Sequence, residues 1–221
     1  DGTISYENMI KRFNTDLANN LGNLVSRTHS MTVKYFEGVI PAPAGEEGPD
    51  ADLKAVCAKT YEQFCADMDG YRVADALSDV FEMLRRANKY IDETTPWSLA
   101  KEEGGKQRLA TVLYNLLETI RIGAVLLFPF MPETCEKIFA MLGNGAPTCH
   151  ESAATFGGLP TGATLGQSEM LFARIDEKKF MEQIEEEQKA AEKAAEKAEA
   201  KVEKPDAMAE IDFDTFLSVE L

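Results

Sequence analysis

One segment gathers residue types suited to recognition. Between Arg12 and Thr28 the chain carries Asp16, Asn20, Asn23 and Arg27 at spacings of three and four. At about 100° per residue these four fall on one line of a helix, beside its apolar stripe. An amide offers a paired donor and acceptor, and a guanidinium offers a planar fork of donors. Together they suit the edge of an unpaired base. The same groups could equally tie the helix to its neighbours by hydrogen bonds. A second feature is Pro96-Trp97, which holds the only tryptophan of the chain. It falls at a helix break, where an indole either caps a core or projects from a corner. Single-stranded RNA is read by splaying bases onto aromatic faces and bonding their edges, and stacking contributes about 1–3 kcal/mol per base. Just upstream, Arg85, Arg86 and Lys89 form a local basic cluster, either a solvated helix face or the flank of such a site.

Other chemistry is poorly served. There is no Gly-rich phosphate loop and no GxSxG elbow. His29 and His150 are the only histidines, and no group of about four ligands has zinc-site spacing. We expect no catalytic residue, metal ligand or cofactor in this chain. The cysteines Cys57, Cys65, Cys135 and Cys149 form no CxxC pair. Cys57 and Cys65 would sit about 12 Å apart along one helix face, too far to bridge each other. All four read as buried, reduced thiols, which suits the cytosol.

The elements that must hold these residues read as helices. Ile10, Phe13, Leu17, Leu21, Leu24, Met31 and Tyr35, with Thr28 in register, predict one long helix over about 6–36, capped by Ser5. Residues 39–50 are a Pro/Gly-rich loop. A second helix runs from an Asp50 or Asp52 cap to about Met68, and a third from about Val73 to Ile91, stopped by Thr94-Thr95-Pro96. A short helix over 97–101 and the most apolar helix, Arg108 to about Phe128, follow. The last short helix spans about Glu133 to Leu142. Leu113, Leu116, Leu117, Ile120 and Val125 are the expected core of the apolar helix. The expected fold is all-α, an antiparallel bundle of about five helices over 1–142. Residues 143–175 read as loop plus a docking segment at 171–175. Residues 176–204, rich in Ala, Glu and Lys, read as an exposed helix or linker, with a Glu185–Lys189 pair. Residues 205–221 look like the opening of another element.

The chain has 221 residues, with 23 Lys plus Arg against 38 Asp plus Glu, a net charge of −15. Phosphate binders usually carry a basic footprint, so the balance at first opposes a nucleic-acid partner. The charge is uneven, however. Residues 1–142 hold 15 basic and 21 acidic residues, and residues 143–221 hold 8 and 17. The total measures the tail more than the bundle. No run of about 18 apolar residues is expected to span a membrane. The N-terminus shows no signal core and lacks an initiator Met, which we read as the start of an excised piece.

The segments RFNTDLANNLGNLVSRT (12–28), ANKYIDETTPWSLAKEE (87–103) and LLFPFMPETCEKIF (126–139), with LFARID at 171–176, resemble the anticodon-binding domain of bacterial methionyl-tRNA synthetase. The final IDFDTFLSVEL is similar to the opening of the tRNA-binding, oligonucleotide-binding-fold domain appended in longer family members. The resemblance implies a C-terminal fragment that keeps tRNA recognition, with the catalytic domain and its ATP site absent from these residues. It implies that Asn23 and Arg27 contact the first anticodon base, a cytosine. Trp97 would stack on the anticodon and Pro96 would set the position of Trp97, with Asn20 and Asn88 as supporting residues. The implied partner is tRNA for methionine, with a CAU anticodon, in the cytoplasm. The implied oligomer is a monomeric fragment of an enzyme that dimerises through the appended domain. Two alternatives stay open: the anticodon domain of another class I synthetase, and an acidic helical scaffold for protein interaction.

Overall fold

The computed structural model describes residues 5–143, 145 and 149–199. The described residues are all-α, with no β-sheet and one isolated antiparallel bridge between Val39 and Thr164. Residues up to Ile175 form one compact unit and those from Asp176 a second.

The first helix starts where expected. Ser5 Oγ accepts the Asn8 N–H at 3.2 Å and caps α1, Tyr6–Arg12. The rod then departs from the expected single α-helix. Phe13–Gly22 is π-helical, and α-geometry resumes in α2, Asn23–Phe36. A π turn closes on the fifth residue instead of the fourth, so each residue there turns by less than 100°.

The next helices are α3 (Gly48–Asp69), α4 (Val73–Thr94), α5 (Pro96–Leu99), α6 (Lys106–Leu127) and α7 (Pro132–Met141). Glu47, not Asp50 or Asp52, is the N-cap of α3, and Asp50 joins the cap from the third helical position by accepting the Glu47 N–H. The Asp50 carboxylate is also fully buried. It accepts from Arg108 Nη1 at 2.6 Å and Nη2 at 2.9 Å, from the Glu47 N–H at 2.9 Å, and from the Tyr90 hydroxyl. Asn115 Nδ2 donates to that hydroxyl at 3.2 Å. One buried network thus joins the starts of α3 and α6 to the end of α4. Tyr90 against Asn115, and Leu84 against Gly123, show that α4 and α6 run antiparallel. A Cβ on Gly123 would lie 3.0 Å from Leu84 Cδ2, so glycine lets these two helices approach closely.

Every residue of α6 from Leu109 to Leu127 is buried, including Leu113, Leu116, Leu117, Ile120 and Val125. A helix apolar all round belongs in the centre of a bundle. By length and composition alone α6 could cross a membrane, which corrects the expectation that no segment is apolar enough. Its span is wholly enclosed by the bundle.

The described residues of 143–170, expected as loop, are irregular apart from a 3₁₀ turn at His150–Ala153, and those from 152 to 159 are tightly bound. Glu118, fully buried on α6, accepts from Arg121 at 2.6 Å and from the amides of Gly157, Gly158 and Leu159 at 2.8, 2.7 and 3.1 Å. Arg121 in turn donates to the carbonyls of Ser152 and Thr155 at 2.9 and 3.0 Å. Gly157 sits at φ +105°, a region nearly reserved for glycine. A Cβ on Gly158 would lie 2.8 Å from Arg121 Cζ. The Gly-Gly pair is therefore what lets three amides converge on one carboxylate. Further on, the docking segment is secured by the Phe172 ring, edge-on to Phe13 at 5.8 Å. The Asn14 amide also exchanges two bonds with the Ile175 backbone, at 2.9 and 2.8 Å.

The second unit contains α8, Glu177–Glu199. Asp176 Oδ1 accepts the Lys178 N–H at 3.1 Å, and the expected Lys189–Glu185 pair forms at 3.7 Å. The end of the expected linker (200–204) and the element expected at 205–221 lie outside the described residues.

Removing Glu118 would leave Arg121 buried and unpaired. Glu118→Ala should cost about 3–5 kcal/mol, measured by urea denaturation. Asp50 should shape the acid limb of stability. Burial pushes its carboxyl up, but hydrogen bonds from Arg108, Tyr90 and the Glu47 amide outweigh burial and hold it below the ordinary value. Its contribution is then complete above the unfolded pKa of about 3.9 and is lost as pH falls through the lower folded value. Asp50→Asn should lower stability at neutral pH and flatten the fall below about pH 4 in the same denaturation series.

Candidate nucleic-acid interface

The first helix lies beside α4 in the same direction. Arg85 Nη1 reaches Asp16 at 3.4 Å, Asn88 meets Asn20, and Arg27 meets Asp92. This side-by-side course brings α2 to the end of α4, where the Pro-Trp corner lies. Proline disfavours helical geometry in the residue before it. Accordingly Thr95 takes the left-handed conformation, φ +40° and ψ +63°, and α5 starts at Pro96. Thr94 Oγ1 donates to the Tyr90 carbonyl at 2.7 Å, and the Ser98 N–H to the Thr95 carbonyl at 2.8 Å. Pro96 is buried beneath the turn, and Trp97 projects with 40% of its surface exposed.

Arg27 reaches this indole, with Cζ 6.0 Å from the ring centroid. Its Nη2 lies 4.0 Å from Asp92 Oδ1, and both side chains are solvent-accessible. An exposed cation–π contact contributes about 0.5–1 kcal/mol, and an exposed ion pair little. The guanidinium is therefore placed beside the indole without being locked there, and can exchange these partners for a ligand.

Asn23 is exposed one turn before Arg27. It opens onto a groove of about 760 Å³ between the first helix and the extended residues 168–174, lined by Gly22, Ser26, Phe172 and Arg174 among others. Asn20 and Asn88 are placed differently. Asn20 is 7% exposed and donates through Nδ2 to the Phe81 carbonyl at 3.1 Å. Asn88 Nδ2 donates to Asn20 Oδ1 at 2.8 Å and to the Asn20 and Leu84 carbonyls, both at 3.2 Å. These amides rivet the first helix to α4. Asp16, also expected on the recognition line, accepts from Arg12 and Arg85, both at 3.4 Å. Asp16, Asn20 and Arg27 thus all meet α4, and Asn23 alone leaves their line for the adjoining groove. The structure brings Arg27 and Trp97 together, sets Asn23 in the adjoining groove, and turns Asn20 inward.

The basic cluster is compensated. Arg85 pairs with Glu82 at 3.0 Å, Arg86 with Asp52 at 2.7 Å and Glu93 at 3.0 Å, and Lys89 with Glu93 at 3.6 Å. Among the described residues no group of three or more His, Cys, Asp or Glu is arranged to hold a metal. The thiols depart from expectation: Cys57 and Cys135 are buried, but Cys65 is half-buried and Cys149 exposed. Sequence reading also missed Asp92, whose only signal was its position five residues before Trp97. It likewise missed the Asp50–Arg108–Tyr90 network that steadies the end of α4.

The fold and this corner define a class: an all-helical module that sets an arginine beside an exposed indole, chemistry suited to unpaired bases. More specifically, the chain belongs to the family described as the anticodon binding domain of methionyl tRNA ligase, which residues 40–196 match. That span includes Pro96 and Trp97 and begins after Asn23 and Arg27. The chain is 46% identical over 185 residues to methionine–tRNA ligase of Clostridium perfringens, covering 84% of this chain and 28% of that protein. It is 38% identical over 223 residues to the Halalkalibacterium halodurans enzyme, covering 100% of this chain and 33% of that protein. Among solved structures, apo methionyl-tRNA synthetase of Mycobacterium tuberculosis superposes with a TM-score of 0.74 at 38% identity. That match covers 80% of this chain and 36% of the solved one. The chain thus spans about a third of the length of the relatives it matches.

If Asn88 is a rivet, Asn88→Ala should cost about 1–3 kcal/mol by leaving Asn20 unsatisfied, with helix content by circular dichroism unchanged. A loss of stability below that range would mean the amide is not structural.

Proposed function

We propose that this chain reads the CAU anticodon of methionine tRNA, initiator and elongator, as the recognition part of methionine–tRNA ligase. The observation that carries the reading is Arg27 held 6.0 Å from an exposed Trp97, in a chain of the anticodon-binding family. Trp97 stacks on an anticodon base, and buried Pro96 fixes the corner from which it projects. Arg27 donates to the acceptor atoms of the first anticodon base, a cytosine, and the amide of Asn23 bonds a donor and an acceptor of the same loop. A cytosine presents an amino donor to an amide oxygen. Asn20 and Asn88 support this edge from within. Little affinity comes from a broad phosphate-gripping field, since the basic cluster nearby is already paired.

The intact protein in this reading joins methionine to its tRNA with ATP, in the cytoplasm, through a catalytic part outside these residues. The bundle over 1–142 is the reader, 143–175 fastens it, and 176–204 leads to an appended tRNA-binding domain beginning within 205–221. That appended domain makes the intact enzyme a homodimer, while this chain alone is a monomer. The family match favours this reading over an acidic scaffold or another class I synthetase.

The test is binding of an anticodon stem-loop, by this chain and by the intact enzyme. A CAU loop should bind more tightly than a scrambled one, and Trp97→Ala should weaken the CAU complex about 10- to 100-fold. Equal binding of both loops, or an unchanged Trp97→Ala variant, would overturn the reading.

A further inference from the structure

Two of the four thiols flank one stacked ring pair, and RNA recognition uses neither. The rings of Tyr61, on α3, and His150 stack with centroids 6.3 Å apart and planes inclined by 26°. Cys65 lies one turn after Tyr61, on the same helix face. Cys149 immediately precedes His150. The Tyr61 phenol is pushed up by burial, by its hydrogen bond with the Cys65 thiol, and by the charges of Cys65, Glu151 and Cys149. The phenol is thus within electrostatic reach of both thiols. The ring stack seats the segment carrying Cys149 on the face of α3 that carries Cys65. That segment is also held from below, through Ser152 and Thr155 on Arg121.

The other two thiols are out of reach. Burial pushes Cys57 up to about 11 and Cys135 up to about 12. The thiolate is the nucleophile, so a buried thiol of this kind is inert near neutral pH. Cys149 is exposed and Cys65 half-buried.

We propose that Cys65 and Cys149 are a redox site, which a low-molecular-weight disulfide converts to an internal disulfide fastening the 149–159 segment to α3. The Cys149 thiolate attacks one sulfur of the small disulfide and expels its partner as a thiolate. The Cys65 thiolate then attacks the Cys149 sulfur of the mixed disulfide and expels the second thiolate. The two cysteines give up two protons and two electrons, and the small disulfide leaves as two thiols. In a reducing compartment such a pair is a transient reporter of oxidant and not a standing cross-link.

The experiment treats the full 221-residue chain with oxidised glutathione and maps the product by mass spectrometry. The expected product has lost two hydrogens, carries a Cys65–Cys149 linked peptide and keeps two free thiols. It should melt on the order of 5–10 °C higher, a gain reversed by reductant. Cys149→Ser, at an exposed position, should abolish the link and leave the melting point of the reduced chain unchanged; Cys65→Ser should abolish the link as well. A stable glutathione adduct on Cys149 would mean that the sulfurs cannot meet. That adduct, a link between other cysteines, or no reaction would each overturn the proposal. None of these readouts involves RNA, so the anticodon reading stands or falls separately.

Discussion

The structure is organised by one constraint: α6 is buried from Leu109 to Leu127, so the polar groups on that stretch are answered from inside the protein. The helix carries Asn115, Glu118, Thr119 and Arg121 among its apolar residues. Each recruits a particular neighbour. Asn115 draws in the Tyr90 hydroxyl, and through it Asp50 and Arg108, which fixes where α3 and α4 meet α6. Thr119 donates to the Asn115 carbonyl and sits 3.6 Å from the Cys57 sulfur on α3. Glu118 and Arg121 recruit a chain segment with no regular structure of its own and give it a single path. Hydrophobic burial alone would accept many rotations of α6. The polar groups accept few, because a buried ion without its partners costs several kcal/mol.

The recognition corner follows from that arrangement. Tyr90 is clamped to α3 and α6, and Thr94 one turn on bonds back to it. The strained left-handed turn at Thr95 is therefore held by a stiff helix end, and the indole of Trp97 is aimed by the core beneath it. Arg27 arrives from the other side on the first helix, positioned by the Asn20–Asn88 rivet. The buried amides thus set the geometry of the exposed groups. This division also fits an acidic protein with the proposed base-reading corner. Surface arginines near the site are matched by carboxylates, and stacking and edge contacts depend little on the long-range field.

Much of this was legible in the sequence, for physical reasons. Apolar spacing of three and four reports which face of a helix is buried, and it located every helix of the bundle to within a few residues. Pro96 marked a break because proline restricts its predecessor. The misreadings also have causes. Asp50 looks like a helix cap because a carboxylate before an apolar run usually is one. Only the fold reveals that Arg108, 58 residues away, claims it. Glu118 and Arg121, three residues apart on the apolar helix, carry no signal of their buried pairing. Their burial depends on residues 152–159 folding over them, and the Gly157-Gly158 pair that permits this reads locally as simple loop. Cysteine is usually buried, so the exposure of Cys149 contradicts composition and follows only from tertiary position.

The π-helical stretch, Phe13–Gly22, is the least legible element. Asp16, Asn20 and Arg27 meet one element, α4, while Asn23 faces the groove beside residues 168–174. The wider turn over Phe13–Gly22 lets Asn14 bond the docking segment at Ile175 while Asn20 turns onto α4 at Phe81 and Asn88. Regular geometry then resumes at Asn23, so that residue and Arg27, four positions on, project from the far end of the rod. A π turn gives up the better hydrogen-bond geometry of the α-helix, and here three amide contacts to two different elements offset it. The polar residues of the first helix thus divide into a buried anchor at Asn20 and solvent-accessible groups at Asn23 and Arg27.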